Sequence, residues 1–419
     1  MGDLAKQHRR FDEHHLAFFG GAPVLYHCHH FNLFLDQTID DALGAEQGAR
    51  LRTEAARESA HALLAGLAAG VGAETPVERI ALAQQVFAAM GHGHLAIDVA
   101  DGGGEARGTY LHYGHSWSEK YGRAVKRRTP ADGFAAGFVA AATEVAFGLP
   151  LGSVRARESA CVAMRDDACR FVLERGEPVE PRSAVDIAAT EAVLRPSEPG
   201  LHEERIETIA RGLLDYLGTV AADERGLVQG FGVFVTLHLA GYYNRLSYEA
   251  VAHVRERAPG LVPVVEALLR ESGQVCVFHT FGGILLSPEW EGMVGAPTGD
   301  VEAHVIGCCA IARALGFGRW SIAELEPDRR LVLRAPLTYE TPYHLARHGQ
   351  ATSGSSYFLQ GAGVAFMELA HRVPWRDEPK LSDAFYRSLF AKGQSWEAEQ
   401  TLDTAKGDER CEVVITRAR

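Results

Sequence analysis

Residues 86–174 and 310–417 read as two copies of one pattern, and that internal repeat limits what the chain can fold into. In the first copy VFAAMGHGHLAIDVADGGGEARGTYL begins at Val86; in the second AIARALGFGRWSIAELEPDRRLVLRAPL begins at Ala310. Each reads as the end of a helix, a Gly-x-Gly, a strand, a polar turn and a second strand. Farther on, DGFAAGFVAAATEVAF from Asp132 matches SSYFLQGAGVAFMELA from Ser355. Phe134 falls against Phe358, Gly137 against Gly361 and Glu144 against Glu368, all at one offset. RDDACRFVLERG from Arg165 matches KGDERCEVVITR from Lys406, which sets Asp166 against Asp408 and Cys169 against Cys411. The beginnings correspond more loosely, HHFN at His29 against GYYN at Gly241.

Between the copies, residues 177–202 hold Pro178, Pro181, Pro196 and Pro199. Prolines at that density interrupt helices and strands and favour an extended connector. The 419 residues therefore divide into a first domain with an N-terminal helical segment (1–176), a Pro-rich linker (177–202) and a second, degenerate domain (203–419).

Local signals set the fold class. Thr75-Pro76-Val77-Glu78 is a capping box with proline at the first helical position, opening a helix to about Met90. His92 to Val99 and Gly108 to His112 read as strands, and Asp132 to Phe147 as a helix ended by Gly148 and Pro150. Ser153 to Cys161 and Ala168 to Leu173 make a closing hairpin. Each half is thus expected to be α+β, with helices packed on a small, mostly antiparallel sheet.

Charge and cysteine usage exclude several function classes. Lys plus Arg number 42 against 54 Asp plus Glu, a net charge of -12, which leaves no broad basic surface for nucleic acid or an anionic membrane. Seven scattered cysteines argue against a disulfide framework. The polar start MGDLAKQHRRFDEHH has no signal-peptide core, and the apolar run from Phe134 contains Glu144 and reads as a buried helix. A cytoplasmic protein is expected. A two-domain repeat satisfies its own pseudo-two-fold interface, with a homodimer of the whole chain as a further option.

The segment VRARESACVAMRDDACRFV resembles the closing hairpin of the 4-vinyl-reductase-like domain family, whose members are predicted hydrocarbon binders. The matching residues are Glu158, Cys161 and Cys169, preceded by the helix GFVAAATEVAFG. The resemblance extends to phenol-sensing regulators and, distantly, to haem nitric-oxide sensors. It implies an enclosed apolar pocket and a zinc ion on the hairpin. Two thiolates and a carboxylate suit zinc, and a fourth donor is expected. The regulators take a further cysteine from the preceding helix, which this chain lacks near Gly133 to Ala135, so His115 is the candidate to complete Glu158, Cys161 and Cys169. In the second half the hairpin reads Gln400, Asp403 and Cys411, a doubtful metal site.

Histidines mark the candidate site. Three short segments hold seven of the 19: His27, His29 and His30 in YHCHHFN, His92 and His94 in GHGH, and His112 and His115 in YLHYGH. In a helix, His27 and His30 would share a face with Phe31 and Phe34; in a strand, His27 and His29 would share one. His92 and His94 in a strand would point the same way. Neutral imidazoles are common transition-metal ligands and general bases near neutral pH. His27, His29, His30, His92 and His94 are therefore the candidate catalytic set. Phe31, Phe34, His112 and Trp117 are candidates to line the pocket. Iron, copper or zinc could sit on several of the imidazoles with a carboxylate such as Asp36 or Glu119. The second copy has Arg319 opposite His94 and Tyr242 and Tyr243 opposite His30 and Phe31, so the function is expected in the first half. His238 and His279 are candidates for a second pocket.

Two functions compete on this reading. One is a metal-dependent enzyme acting on a small, partly apolar substrate in the first domain. The other is a non-enzymatic sensor or carrier of a small apolar molecule with a structural zinc.

Overall fold

A computed structural model describes residues 4–122, 125–180, 182 and 185–418. Helices pack against three antiparallel sheets of five, four and four strands, the expected α+β class. The two four-stranded sheets are built alike. In the first half, β4 (Ala96–Ala100), β5 (Gly103–Gly108), β6 (Val154–Ala160) and β7 (Cys169–Arg175) lie in the order β4-β5-β7-β6. In the second half, β10 (Ser321–Glu326), β11 (Arg330–Ala335), β12 (Trp396–Leu402) and β13 (Cys411–Arg417) lie in the order β10-β11-β13-β12. The third strand of each slips register at the same place, between Glu158 and Ala160 and between Gln400 and Leu402.

The paired residues of the two copies do the same work. Buried Glu144, near the end of α5 (Gly133–Phe147), accepts the backbone amides of Gly152 and Val154 as the chain enters the closing hairpin. Glu368, on the helix Tyr357–Arg372, accepts those of Ser395 and Trp396. A carboxylate that satisfies two otherwise orphaned donors explains why a charge sits in so apolar a helix. Gly137 lets α5 lie on α2 (Ala45–Val71), since a Cβ there would come within 2.2 Å of the Thr53 carbonyl. A Cβ on Gly361 would come within 1.8 Å of the Arg270 carbonyl in the helix Val262–Cys276. Any side chain at either position forces the helices apart.

The third sheet joins the halves. Its order is β1 (His8–Phe11), β2 (Leu16–Phe19), β3 (Ala22–Cys28), β9 (Val233–Leu239), β8 (Val228–Gly230). Strand β3 pairs with β9 from Val24 opposite Leu239 to Cys28 opposite Val235. Each of these two strands runs straight into a helix, β3 into α1 (His29–Leu43) and β9 into Ala240–Arg257. HHFN and GYYN are thus the first turns of two helices that leave one shared strand pair.

Three local expectations change. The capping box holds, with α3 spanning Pro76–Ala89. The strand expected over His92 to Val99 starts only at Ala96, because Gly93 sits at φ +104°, a left-handed conformation that breaks an extended run. The strand expected over Gly108 to His112 ends where it was to begin: β5 closes at Gly108 and α4 (His112–Tyr121) begins at His112. The linker is not extended throughout, since Asp186 caps a short helix, Ile187–Glu191. Residues 181, 183 and 184 of the linker, Pro181 among them, lie outside the described residues. All seven cysteines are buried free thiols. No helix of the described residues is long and apolar enough to cross a membrane.

Candidate functional site

The YHCHHFN segment is neither all helix nor all strand. It is the β3–α1 junction, which separates its histidines. His27, last but one on β3, is fully buried; its ring stacks on Phe31 at 3.6 Å and meets Tyr243, Phe317 and Phe358 edge-on. Its Nδ1 lies 3.5 Å from the Cys276 sulfur and its Nε2 has no partner. Three of those four rings and the thiol belong to the second half.

Next to it, three more imidazoles gather. His92, in the turn after α3, is 1% exposed and stacks on Phe134 at 4.3 Å, with Phe87 at 5.2 Å. It meets His238 of β9 edge-on at 4.9 Å and His112 at 5.9 Å. Neither nitrogen of His92 has a hydrogen-bond partner. Asn32 on α1 organises the rest: its amide donates to His112 Nε2 at 2.9 Å and to the Thr236 hydroxyl, and its oxygen accepts from Tyr243. An accepting Nε2 puts the His112 proton on Nδ1, which is buried without a partner. His238 Nδ1 accepts the Leu239 amide, so its Nε2–H donates to the Tyr113 hydroxyl at 3.1 Å. Tyr242, whose ring packs on His238, donates to Asp36 Oδ1 at 3.5 Å. Burial holds His27, His92, His112 and His238 well below the ordinary imidazole range, so all four are neutral.

Asp36 lies beyond Tyr242. Burial pushes its carboxyl up to about 7, against the pull of Arg52 and Arg127. Arg52, 1% exposed, lies 3.6 Å from Asp36 and 2.7 Å from Asp40, and Asp40 is bound again by Arg127 at 2.8 Å.

The remaining candidates are placed elsewhere. His29 Nδ1 accepts the Phe234 amide at 3.2 Å, and burial takes the ring down to about 3. His30 turns away from His27 and stacks on His279. His94 is exposed, because Gly93 breaks the alternation that would have aligned it with His92. Phe31 joins the His27 wall, while Phe34 is half-buried at the margin of the core. Trp117 lies against Tyr121 and under the Arg127 guanidinium, with its indole N–H donated to the Val125 carbonyl. His115 packs on Tyr110 and Phe234.

The hairpin forms a second buried cluster. One donor atom each from Glu158, Cys161 and Cys169 lies within 4.8 Å of the others, and the sulfurs are 3.9 Å apart. Glu158 Oε2 accepts the Asp132 amide and its Oε1 has no partner. The Cys169 hydrogen bond pulls the Cys161 thiol down to about 6, while that bond and burial push Cys169 far up. Two adjacent sulfurs and an unsatisfied carboxylate oxygen fit a zinc ion. His115 is not brought to them; the residue of α4 that faces the sulfurs is Gly114, where a Cβ would lie 3.1 Å from Cys169 Sγ. In the second half, Asp403 accepts the Ser355 amide and hydroxyl, and Cys411 faces Asp403 and Thr404. Those donors already have protein partners.

His238, expected in a separate second pocket, stands in this site beside the histidines of the first half, with Tyr113, Tyr242 and Asn32. The match of HHFN to GYYN pointed to that merger, since the two segments meet through β3 and β9.

No family model and no curated protein matches the chain. Among solved structures it is similar to the crystal structure of the phenol-responsive sensory domain of the transcription activator PoxR with phenol. That match has 18% identity and a TM-score of 0.33, over 41% of this chain and 86% of that one.

Proposed function

We propose that the chain is a metal-dependent enzyme acting on a small, partly apolar molecule held among the imidazoles where its two halves meet. We read it as a tandem pair of 4-vinyl-reductase-like domains, 1–176 and 203–419. The recurring strand order and the paired roles of Glu144 and Glu368 support that reading. The observation that carries the function is His92, buried with both nitrogens unpartnered. Each such atom costs about 1–3 kcal/mol if nothing meets it. A neutral imidazole offers one donor and one acceptor, and Phe87 and Phe134 supply apolar walls. The matching ligand carries a hydroxyl or carbonyl on an apolar body. The transition metal, iron, copper or zinc, belongs to the histidines of α1 and not to His92.

The test is extraction. Protein purified without added ligand is denatured and the released small molecules are identified by mass spectrometry. A stoichiometric molecule that native protein converts to a product supports the enzyme. The same molecule returned unchanged supports a carrier or sensor instead, a reading favoured by the zinc-fitting group Glu158, Cys161 and Cys169. No retained molecule, together with no uptake of small phenols or ketones by calorimetry, contradicts both.

A further inference from the structure

We infer that His30, His279 and Asp383 form a seat for a divalent transition-metal ion on the seam between the halves. This rests on the metal-dependent reading above and names the donors, two of which come from the second half. One donor atom from each residue lies within 4.8 Å of the others. The three come from distant segments: the first turn of α1, the π-helical turn Val277–Phe281, and the start of the helix Asp383–Phe390. A π-turn inserts one residue into a helix and re-aims its side chains, and such turns recur at functional sites.

His279 is buried, its ring stacks on that of His30 at 3.7 Å and 8°, and its Nε2 lies 3.2 Å from Asp383 Oδ1. The donors of the three residues thus converge on one point of the seam. A divalent ion there would be bound by both imidazoles and the carboxylate. It also gives a role to His30, whose Nδ1 is buried without a partner. Two imidazoles and a carboxylate are donors that zinc, iron, nickel and cobalt all accept, and three protein ligands leave positions free for water or substrate. Lys120 Nζ holds the same Asp383 oxygen at 3.2 Å.

Cobalt(II) separates this seat from the hairpin, because only the hairpin has sulfur. The whole metal-free chain is titrated with cobalt(II) and followed by its visible spectrum. The seat predicts ligand-field bands without sulfur charge transfer, alongside the charge-transfer band of the Cys161 and Cys169 site. In H279A and in D383N the sulfur-free component should weaken by roughly 100-fold. The sulfur band should persist, which reports that the variants are folded. Sulfur-free bands that survive both substitutions overturn the seat and leave the metal-dependent reading standing. No sulfur-free cobalt in the native chain overturns both, leaving a Lys120–Asp383 ion pair only.

Discussion

Replacing His92 with leucine is expected to stabilise the fold while removing its capacity to hold a ligand. In protein stripped of bound small molecules, the substitution exchanges two unsatisfied buried nitrogens for apolar contact with Phe87 and Phe134. At about 1–3 kcal/mol for each nitrogen, that is worth about 2–6 kcal/mol at neutral pH. The advantage should grow in acid. The His92 imidazole is neutral in the fold because burial lowers its affinity for a proton, whereas in the unfolded chain it titrates near 6.5. A depressed imidazole contributes stability above the unfolded value and loses it below, at about 1.4 kcal/mol per pH unit. The gap between H92L and the native chain should therefore widen by roughly 2 kcal/mol from pH 7 to pH 5. The difference between the two proteins is the quantity to measure. The native chain alone sums opposing groups: Asp36 and Glu144, pushed up to about 7, and Glu340, pushed up to about 8, all stabilise the fold as the pH falls. Urea unfolding at the two pH values reads the gap directly. A constant gap, or a destabilised variant, would mean that His92 is partnered within the protein.

Arg52→Met should act in the opposite direction and more strongly at neutral pH. Arg52 is buried beside Asp36 and Asp40, and its side chain also donates to the Asp36 carbonyl. Methionine fills similar space but leaves one aspartate with no cation and the other with Arg127 alone. Breaking a buried ion pair from one side costs about 3–5 kcal/mol. The loss should shrink at pH 5. Asp36, already raised to about 7 by burial, then takes a proton and no longer needs the guanidinium. A loss under 1 kcal/mol at pH 7, or one that deepens in acid, would be inconsistent with a charged Asp36–Arg52–Asp40–Arg127 network.

Much of the fold was legible because its signals are local. The capping box at Thr75, the apolar helix from Phe134 and the hairpin that carries Cys161 and Cys169 each depend on neighbours within a few residues. The match of Gly137 to Gly361 and of Glu144 to Glu368 marked positions where helix packing and backbone satisfaction allow no other residue type. The site was less legible for two physical reasons. A single left-handed glycine, Gly93, turns His94 to the surface, and spacing alone does not reveal it. More importantly, β3 pairs with β9 across about half the chain, so the His92 and His27 surroundings are completed by His238, Tyr243 and Cys276. Histidines crowded into the first half suggested a site within that half. They are there because the second half supplies their walls.

If a ligand sits between Phe87 and Phe134, the His92 nitrogens meet something other than protein. A crystal structure of the protein as purified, at a resolution that separates water from larger solutes, tests it most directly. Non-protein density larger than water is expected beside Phe87 and Phe134, with a polar atom in hydrogen-bond reach of a His92 nitrogen. Both His92 nitrogens bound to protein atoms or to water alone would contradict it.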